Sequence, residues 1–123
     1  MEAILDSSFI ISCLRLGIDF HGQLEELGFK VVLPKEVFQE LKDIRARSGI
    51  AHIDKEAIDV AFVMFEQNKI KKMSLGKGKV DDGLVRKGKE GVYIASLDKG
   101  ILREIKNKIV IKSSEKRVAI ERD

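Results

Sequence analysis

Residues 80–102, VDDGLVRKGKEGVYIASLDKGIL, read as a helix, a strand and a second helix. Asp82 opens the first helix, Val92-Tyr93-Ile94-Ala95 is a continuous apolar run of strand length, and Asp98 follows at the strand's C-terminal end. In a parallel sheet these two places share one edge, where open α/β folds bind their ligands. What matters in the remaining chain is whether other segments bring acidic groups to that edge.

Two segments do. Ala3-Ile4-Leu5 is a short buried strand with Asp6 at its end, and Ser7 and Ser8 supply capping hydroxyls to a helix that carries Phe9, Ile10, Cys13, Leu14 and Leu16 until Gly17. His21–Leu27 reads as a second helix closed by Gly28, and Phe29–Leu33 as a second strand. Pro34 then starts a helix in which Val37, Leu41 and Ile44 face inward. At about 100° per residue Glu40 lies beside that inward stripe, whereas Glu36 and Asp43 turn towards solvent. Taken alone, Asp6 reads as a helix N-cap, and Glu40 reads either as a surface carboxylate paired with Lys or Arg or as a member of a shared acidic site around a metal.

The segment 53–67 forms a long helix with Ile58, Ala61, Phe62 and Phe65 at helical spacing, and Val60, Val63 and Met64 make it apolar nearly all round. Either deep burial in the monomer or a second subunit or partner covers the extra face. Residues 70–73 read as a brief edge strand and 75–79 as a flexible turn; GKGK lacks the spacing and frame of a phosphate loop. Residues 101–106 read as a helix and 109–111 as the last strand. The charged tail 113–123 is expected to fray.

A chain of 123 residues, 44% apolar and 35% charged, suits one soluble domain, 1–123. No apolar run approaches the roughly 18 residues that span a bilayer, and the N-terminus lacks a basic region before its apolar residues, so no membrane association and a cytoplasmic location are expected. Cys13 is alone, which excludes an internal disulfide and a Cys-based zinc site, and it reads as a small core residue. His21 and His52 have no second ligand at metal spacing and read as surface residues. The net charge of +3 is modest. Its distribution matters more: Lys69, Lys71, Lys72, Lys77 and Lys79 precede Asp81-Asp82, and Lys99, Arg103, Lys106, Lys108 and Lys112 follow Asp98.

Four acids thus stand at element boundaries or beside a buried face: Asp6, Glu40, Asp82 and Asp98. Clustered carboxylates repel one another, and a hard cation such as Mg²⁺ or Mn²⁺, which takes oxygen ligands, relieves that repulsion. Such an ion also polarises a phosphate and activates water. With flanking lysines, hydrolysis of a phosphodiester uses all these parts. A haloacid-dehalogenase-type phosphatase needs a second Asp where Ser8 stands, and a receiver domain needs an acidic pair near the N-terminus; neither pattern is present.

Leu5-Asp6-Ser7-Ser8, Leu33-Pro34 to Val37 with Glu40-Leu41, Asp81-Asp82-Gly83-Leu84-Val85, and Ala95-Ser96-Leu97-Asp98 with Leu102 together resemble the PIN-domain ribonuclease family, the fold of VapC-type toxins and of RNA-processing nucleases. The resemblance runs from Ile4 to about Ile111. It implies a three-layer α/β/α fold with a central, mostly parallel sheet of four to five strands, and a Mg²⁺- or Mn²⁺-dependent endoribonuclease of the VapC type, the toxin of a toxin-antitoxin pair. It places Asp6, Glu40, Asp82 and Asp98 in a catalytic and metal-holding tetrad. Ser8 and Ser96 stand where the family often has an orienting hydroxyl or amide, and Asp81 stands as a supporting neighbour. Asp82 is preferred to Asp81 because Leu84 and Val85 then fall at the family's apolar spacing. RNA is the expected partner, guided by Lys77, Lys79, Arg86 and Lys99, and a homodimer and a small antitoxin protein are expected through the apolar helix around Phe62. A nuclease of RNA processing, or a PIN-fold module that binds RNA or protein without cutting, is the alternative.

Overall fold

Alternation along the first strand divides the core in two. In the computed structural model, which describes residues 1–122, strand β1 (Glu2–Leu5) sends Ala3 and Leu5 to one face of the sheet and Ile4 to the other. Strand β2 (Lys30–Pro34) likewise divides Val31 and Leu33 from Val32. This is the two-residue period of strands buried on both faces. The first face is covered by helices α1 (Ser7–Arg15), α2 (Phe20–Glu26), α3 (Lys35–Arg45) and α4 (His52–Gln67). They contribute Phe9, Phe20, Leu41, Ile58 and other buried side chains to the larger cluster. The second face is covered by α5 (Val80–Lys89) and the short α6 (Lys99–Leu102), with Leu84, Ile101, Leu75 and Ile105 in the smaller cluster. The result is the expected three-layer arrangement.

The sheet has six strands rather than four or five. Strand β3 (Lys71–Met73) lies at one edge, and β4 (Tyr93–Ala95), β5 (Asn107–Lys112) and β6 (Arg117–Arg122) complete the order β3-β2-β1-β4-β5-β6. All neighbours pair in parallel except β5 and β6. The chain builds outward from β1 through β2 to β3, then returns to the other side of β1 to lay down β4. A topological switch point therefore lies between β1 and β4, the place where open α/β sheets form a crevice.

Several expectations are corrected. Within the described residues the tail does not fray: a short 3₁₀ turn at Ser113–Glu115 leads into β6, with Val118 and Ala119 buried. Its short apolar centre is flanked by the charged Arg117, Glu121 and Arg122, which suits an edge strand and hides the strand pattern. Helix α6 ends at Leu102 rather than at 106. Residues 75–79 are not simply flexible, because Leu75 is buried. Helix α4 buries Ala57, Ile58, Ala61 and Phe65 but leaves Ile53, Val60 and Val63 about half exposed, so burial in the monomer does not cover its extra face. His52 is exposed as expected, whereas His21 is largely covered and lies 3.4 Å from Glu25. Cys13 is buried, and burial pushes its thiol up to about 12.

Two glycines inside α5 let that helix approach its neighbours closely. A Cβ on Gly83 would lie 2.9 Å from the Leu75 Cβ, and one on Gly88 would lie 3.0 Å from the Ile105 Cβ and 3.3 Å from the Ile94 Cγ1. Glycine costs roughly 1 kcal/mol in a helix interior, so its presence here reflects the close packing. Gly88→Ala is expected to lower stability by about 1–3 kcal/mol through overpacking, despite its better helix propensity. Urea denaturation measures this, and an unchanged or raised midpoint would show that Ile105 yields without cost.

Candidate acidic site at the carboxyl edge of the sheet

The site begins with a buried carboxylate. Asp6 follows β1, has extended backbone and caps α1, its Oδ1 accepting from the Ser7 N–H at 2.9 Å. Its Oδ2 accepts from the hydroxyls of Ser96 at 2.7 Å and Ser8 at 3.2 Å. The Asp6 N–H donates to the Ala95 carbonyl at 2.9 Å, continuing the β1–β4 pairing to the edge of the sheet. Ser96 is fully buried, and its oxygen also accepts from the Asp98 N–H at 3.1 Å. The Ser8 oxygen accepts from the Leu97 N–H at 3.3 Å. Two hydroxyls thus stitch the ends of β1 and β4 together. Asp98 in turn caps α6 by accepting from the Gly100 N–H at 2.8 Å.

Glu40 arrives from α3 and accepts a hydrogen bond from the Ser7 hydroxyl. Its charge is felt at Asp6. Burial pushes the Asp6 carboxyl up against the opposing hydrogen bonds from Ser96 and Ser7, and repulsion by Glu40 adds to the rise. Asp81 and Asp82 occupy the first turn of α5, where the helix dipole favours negative charge. The helix starts at Val80, before the position read from the sequence. The Asp81 carboxyl is pushed up by partial burial and then by repulsion from Asp98, Glu40 and Asp82. Asp81 therefore senses acids from both α3 and the β4–α6 junction.

An open cleft of about 420 Å³ is lined by Asp81, Asp82 and Asp98 together with Val85, Gly100, Ile101 and Glu104. Asp6 and Glu40 do not line it; Asp6 lies buried and is tied to the cleft wall through Ser96. Glu104 is an acid that the sequence reading missed, and it lies 3.6 Å from Lys89. No periodicity marks it, because it follows a helix of 4 residues. Lys77, Lys79 and Lys99 are exposed around this edge. Arg86, expected to guide RNA, is exposed and donates to the Leu75 carbonyl. Glu36, expected to face solvent, accepts from Leu75 and Ser74.

A solved structure decides how this arrangement is classified. The chain matches the structure described as the PIN domain endonuclease Utp24 with a TM-score of 0.74, over 99% of this chain and 92% of that one, at 19% sequence identity. The fold is that of a PIN domain. No family sequence model matches the chain, and no curated protein sequence matches it. The likeness is carried by structure.

Within this PIN fold, the donor set is made of oxygen atoms alone, which suits a hard divalent cation. Among the described residues none of Asp6, Glu40, Asp81, Asp82 or Asp98 has a Lys, Arg or His ion pair. Their mutual repulsion at Asp6 and Asp81 is what a cation would relieve. The acids are nevertheless not gathered into a ready-made ligand cluster: among the described residues, no group of three or more His, Cys, Asp or Glu side chains is placed to hold a metal ion. Charge and donor type fit; the ligating geometry is not preassembled.

Ser96→Ala removes a buried hydroxyl that serves both Asp6 and the Asp98 backbone. It is expected to cost about 1–3 kcal/mol in urea denaturation at neutral pH, since both partners lose a bond in a buried setting. A midpoint equal to that of the parent would mean that the hydroxyl does not hold this edge.

Proposed function

We propose that this protein is a Mg²⁺- or Mn²⁺-dependent endoribonuclease that hydrolyses RNA phosphodiesters. One observation carries the reading: carboxylates from β1, α3, α5 and the β4–α6 junction stand at the switch edge of a PIN fold near enough for Glu40 to raise both Asp6 and Asp81, and among the described residues none of them is held in an ion pair with Lys, Arg or His. Asp6, Glu40, Asp98 and the α5 acids are the residues that would hold the ion. Asp81 joins Asp82 in this set, because both line the cleft and the Asp81 carboxyl is raised by Asp98 and Glu40. Once bound, the ion would supply positive charge to the scissile phosphate and acidity to the attacking water.

The protein's own contribution is orientation and attraction. Ser8 and Ser96 fix the rotamer of Asp6 through its Oδ2. The Asp98 Oδ1 is occupied by the Gly100 N–H, which turns that carboxylate relative to the cleft. Lys77, Lys79 and Lys99 raise the local concentration of a polyanion around an otherwise acidic edge. Among the described residues no helix is long and apolar enough to cross a membrane.

A VapC-type toxin and an RNA-processing nuclease would share these catalytic parts and differ in their partners. The half-exposed Ile53, Val60 and Val63 on α4 form the surface that an antitoxin or a second copy would cover. A small copurifying protein that inhibits cleavage favours the toxin.

Asp6→Asn and Asp98→Asn are expected to reduce cleavage of single-stranded RNA at least about a hundredfold with circular dichroism unchanged. EDTA should abolish cleavage and Mn²⁺ restore it. Full activity in EDTA or in the Asp6 variant overturns the assignment, and RNA binding without any cleavage by the parent leaves the non-cleaving module. Replacing Lys77, Lys79 and Lys99 by Gln should flatten the salt dependence of RNA binding, by roughly one unit of slope for each phosphate no longer neutralised. An unchanged slope removes them from the path of the RNA.

A further inference from the structure

We propose that Glu36 and Arg86 are positioning residues that clamp Leu75 and thereby hold the first turn of α5, with Asp81 and Asp82, in place against Glu40 on α3. Leu75 is gripped from every side. The Glu36 Oε1 accepts from its N–H at 3.0 Å, and an Arg86 guanidinium N–H donates to its carbonyl. Its side chain is buried in the smaller cluster with Ile4, Val32 and Leu84. The other Glu36 oxygen accepts from the Ser74 hydroxyl at 3.1 Å, and that hydroxyl oxygen accepts from the Gly76 N–H at 3.1 Å.

Both ends of this clamp are built on elements that carry acids. Glu36 lies one turn before Glu40 on α3, so the two project from the same side of the helix. Leu75 packs where Gly83 has no side chain, next in sequence to Asp82, and Arg86 reaches back from α5 itself. Helix α5 needs such support, since its N-cap Lys79 makes no side-chain capping bond. Beyond the clamp, Gly76 and Gly78 adopt positive φ, so the turn bearing Lys77 loops out between two fixed points. Partial burial pushes the Glu36 carboxyl up, but hydrogen bonds from the backbone N–H groups of Leu75 and Glu36 and from Ser74 outweigh it, so it stays below its ordinary value. Glu36 is therefore an anionic acceptor at neutral pH, not a titrating member of the site.

The consequence for metal binding rests on the proposed function; the clamp itself does not. Backbone amide exchange and Mn²⁺ titration, run on Glu36→Ala, Glu36→Gln, Arg86→Ala and Arg86→Lys in the full chain, separate the two. In Glu36→Ala and Arg86→Ala, exchange at Leu75 and Gly76 and also at Gly83 and Leu84 in α5 is expected to rise about tenfold or more, ahead of global unfolding. Glu36→Gln, whose amide oxygen still accepts from Leu75, should recover part of the protection, and Arg86→Lys part of its own. Mn²⁺ affinity should fall about tenfold in the alanine variants. Unchanged exchange in α5, equal effects of Gln and Ala at position 36, or parental Mn²⁺ affinity in the alanine variants each overturns the positioning role. A parent that binds no Mn²⁺ overturns the nuclease reading instead, and the exchange results then decide the clamp alone.

Discussion

A carboxylate that is 5% exposed must find donors or stay protonated, and this requirement at Asp6 organises the edge of the sheet. Its donors come from both sides of the switch point. Ser7 and Ser8 follow it directly, whereas Ser96 lies at the end of β4 and also accepts from the Asp98 backbone. The same hydroxyl that satisfies the buried acid therefore sets the backbone of the exposed one. Stability and site geometry are coupled at this seam.

Around it, the structure supports mutually repelling acids with close packing. Gly83 and Gly88 lower helix propensity so that α5 can lie against Leu75, Ile94 and Ile105. Leu75 passes that contact to α3 through Glu36. The acidic edge is thus held from beneath by the Asp6 hydrogen bonds and from the side by a buried leucine. Its lysines sit on an outward loop and on α6, and Lys79 offsets part of the repulsion at Asp81.

Much of this is legible locally. Ala3-Ile4-Leu5-Asp6 and Tyr93-Ile94-Ala95-Ser96 read as strand ends because continuous apolar runs of that length suit buried parallel strands. Three-layer packing and the edge position of Asp6 and Asp98 follow from them. What escapes a local reading depends on distant partners. Glu36 lies outside the apolar stripe of α3, on the flank it shares with Glu40, and its partner lies 39 residues further along the chain. Arg86 reads as a free surface cation until Leu75 supplies a carbonyl. Asp81 lies near enough to Glu40 and Asp98 for both to raise its carboxyl, which no spacing within α5 reveals because those acids come from other elements. Strand β6 is hidden by charges at both of its ends, which an edge strand tolerates.

The hydrogen bond between Ser96 and Asp6 joins residues 90 apart in sequence. During synthesis, a chain that has not yet released β4 from the ribosome holds Asp6 and Glu40 but lacks Ser96, which donates to Asp6, and Asp98, which lines the cleft. Parallel pairing of β1 with β4 closes a longer loop than the β1–β2 pairing and carries the larger entropic cost. The acidic edge consequently cannot form before residue 98 has been made, so its geometry depends on nearly the whole sheet.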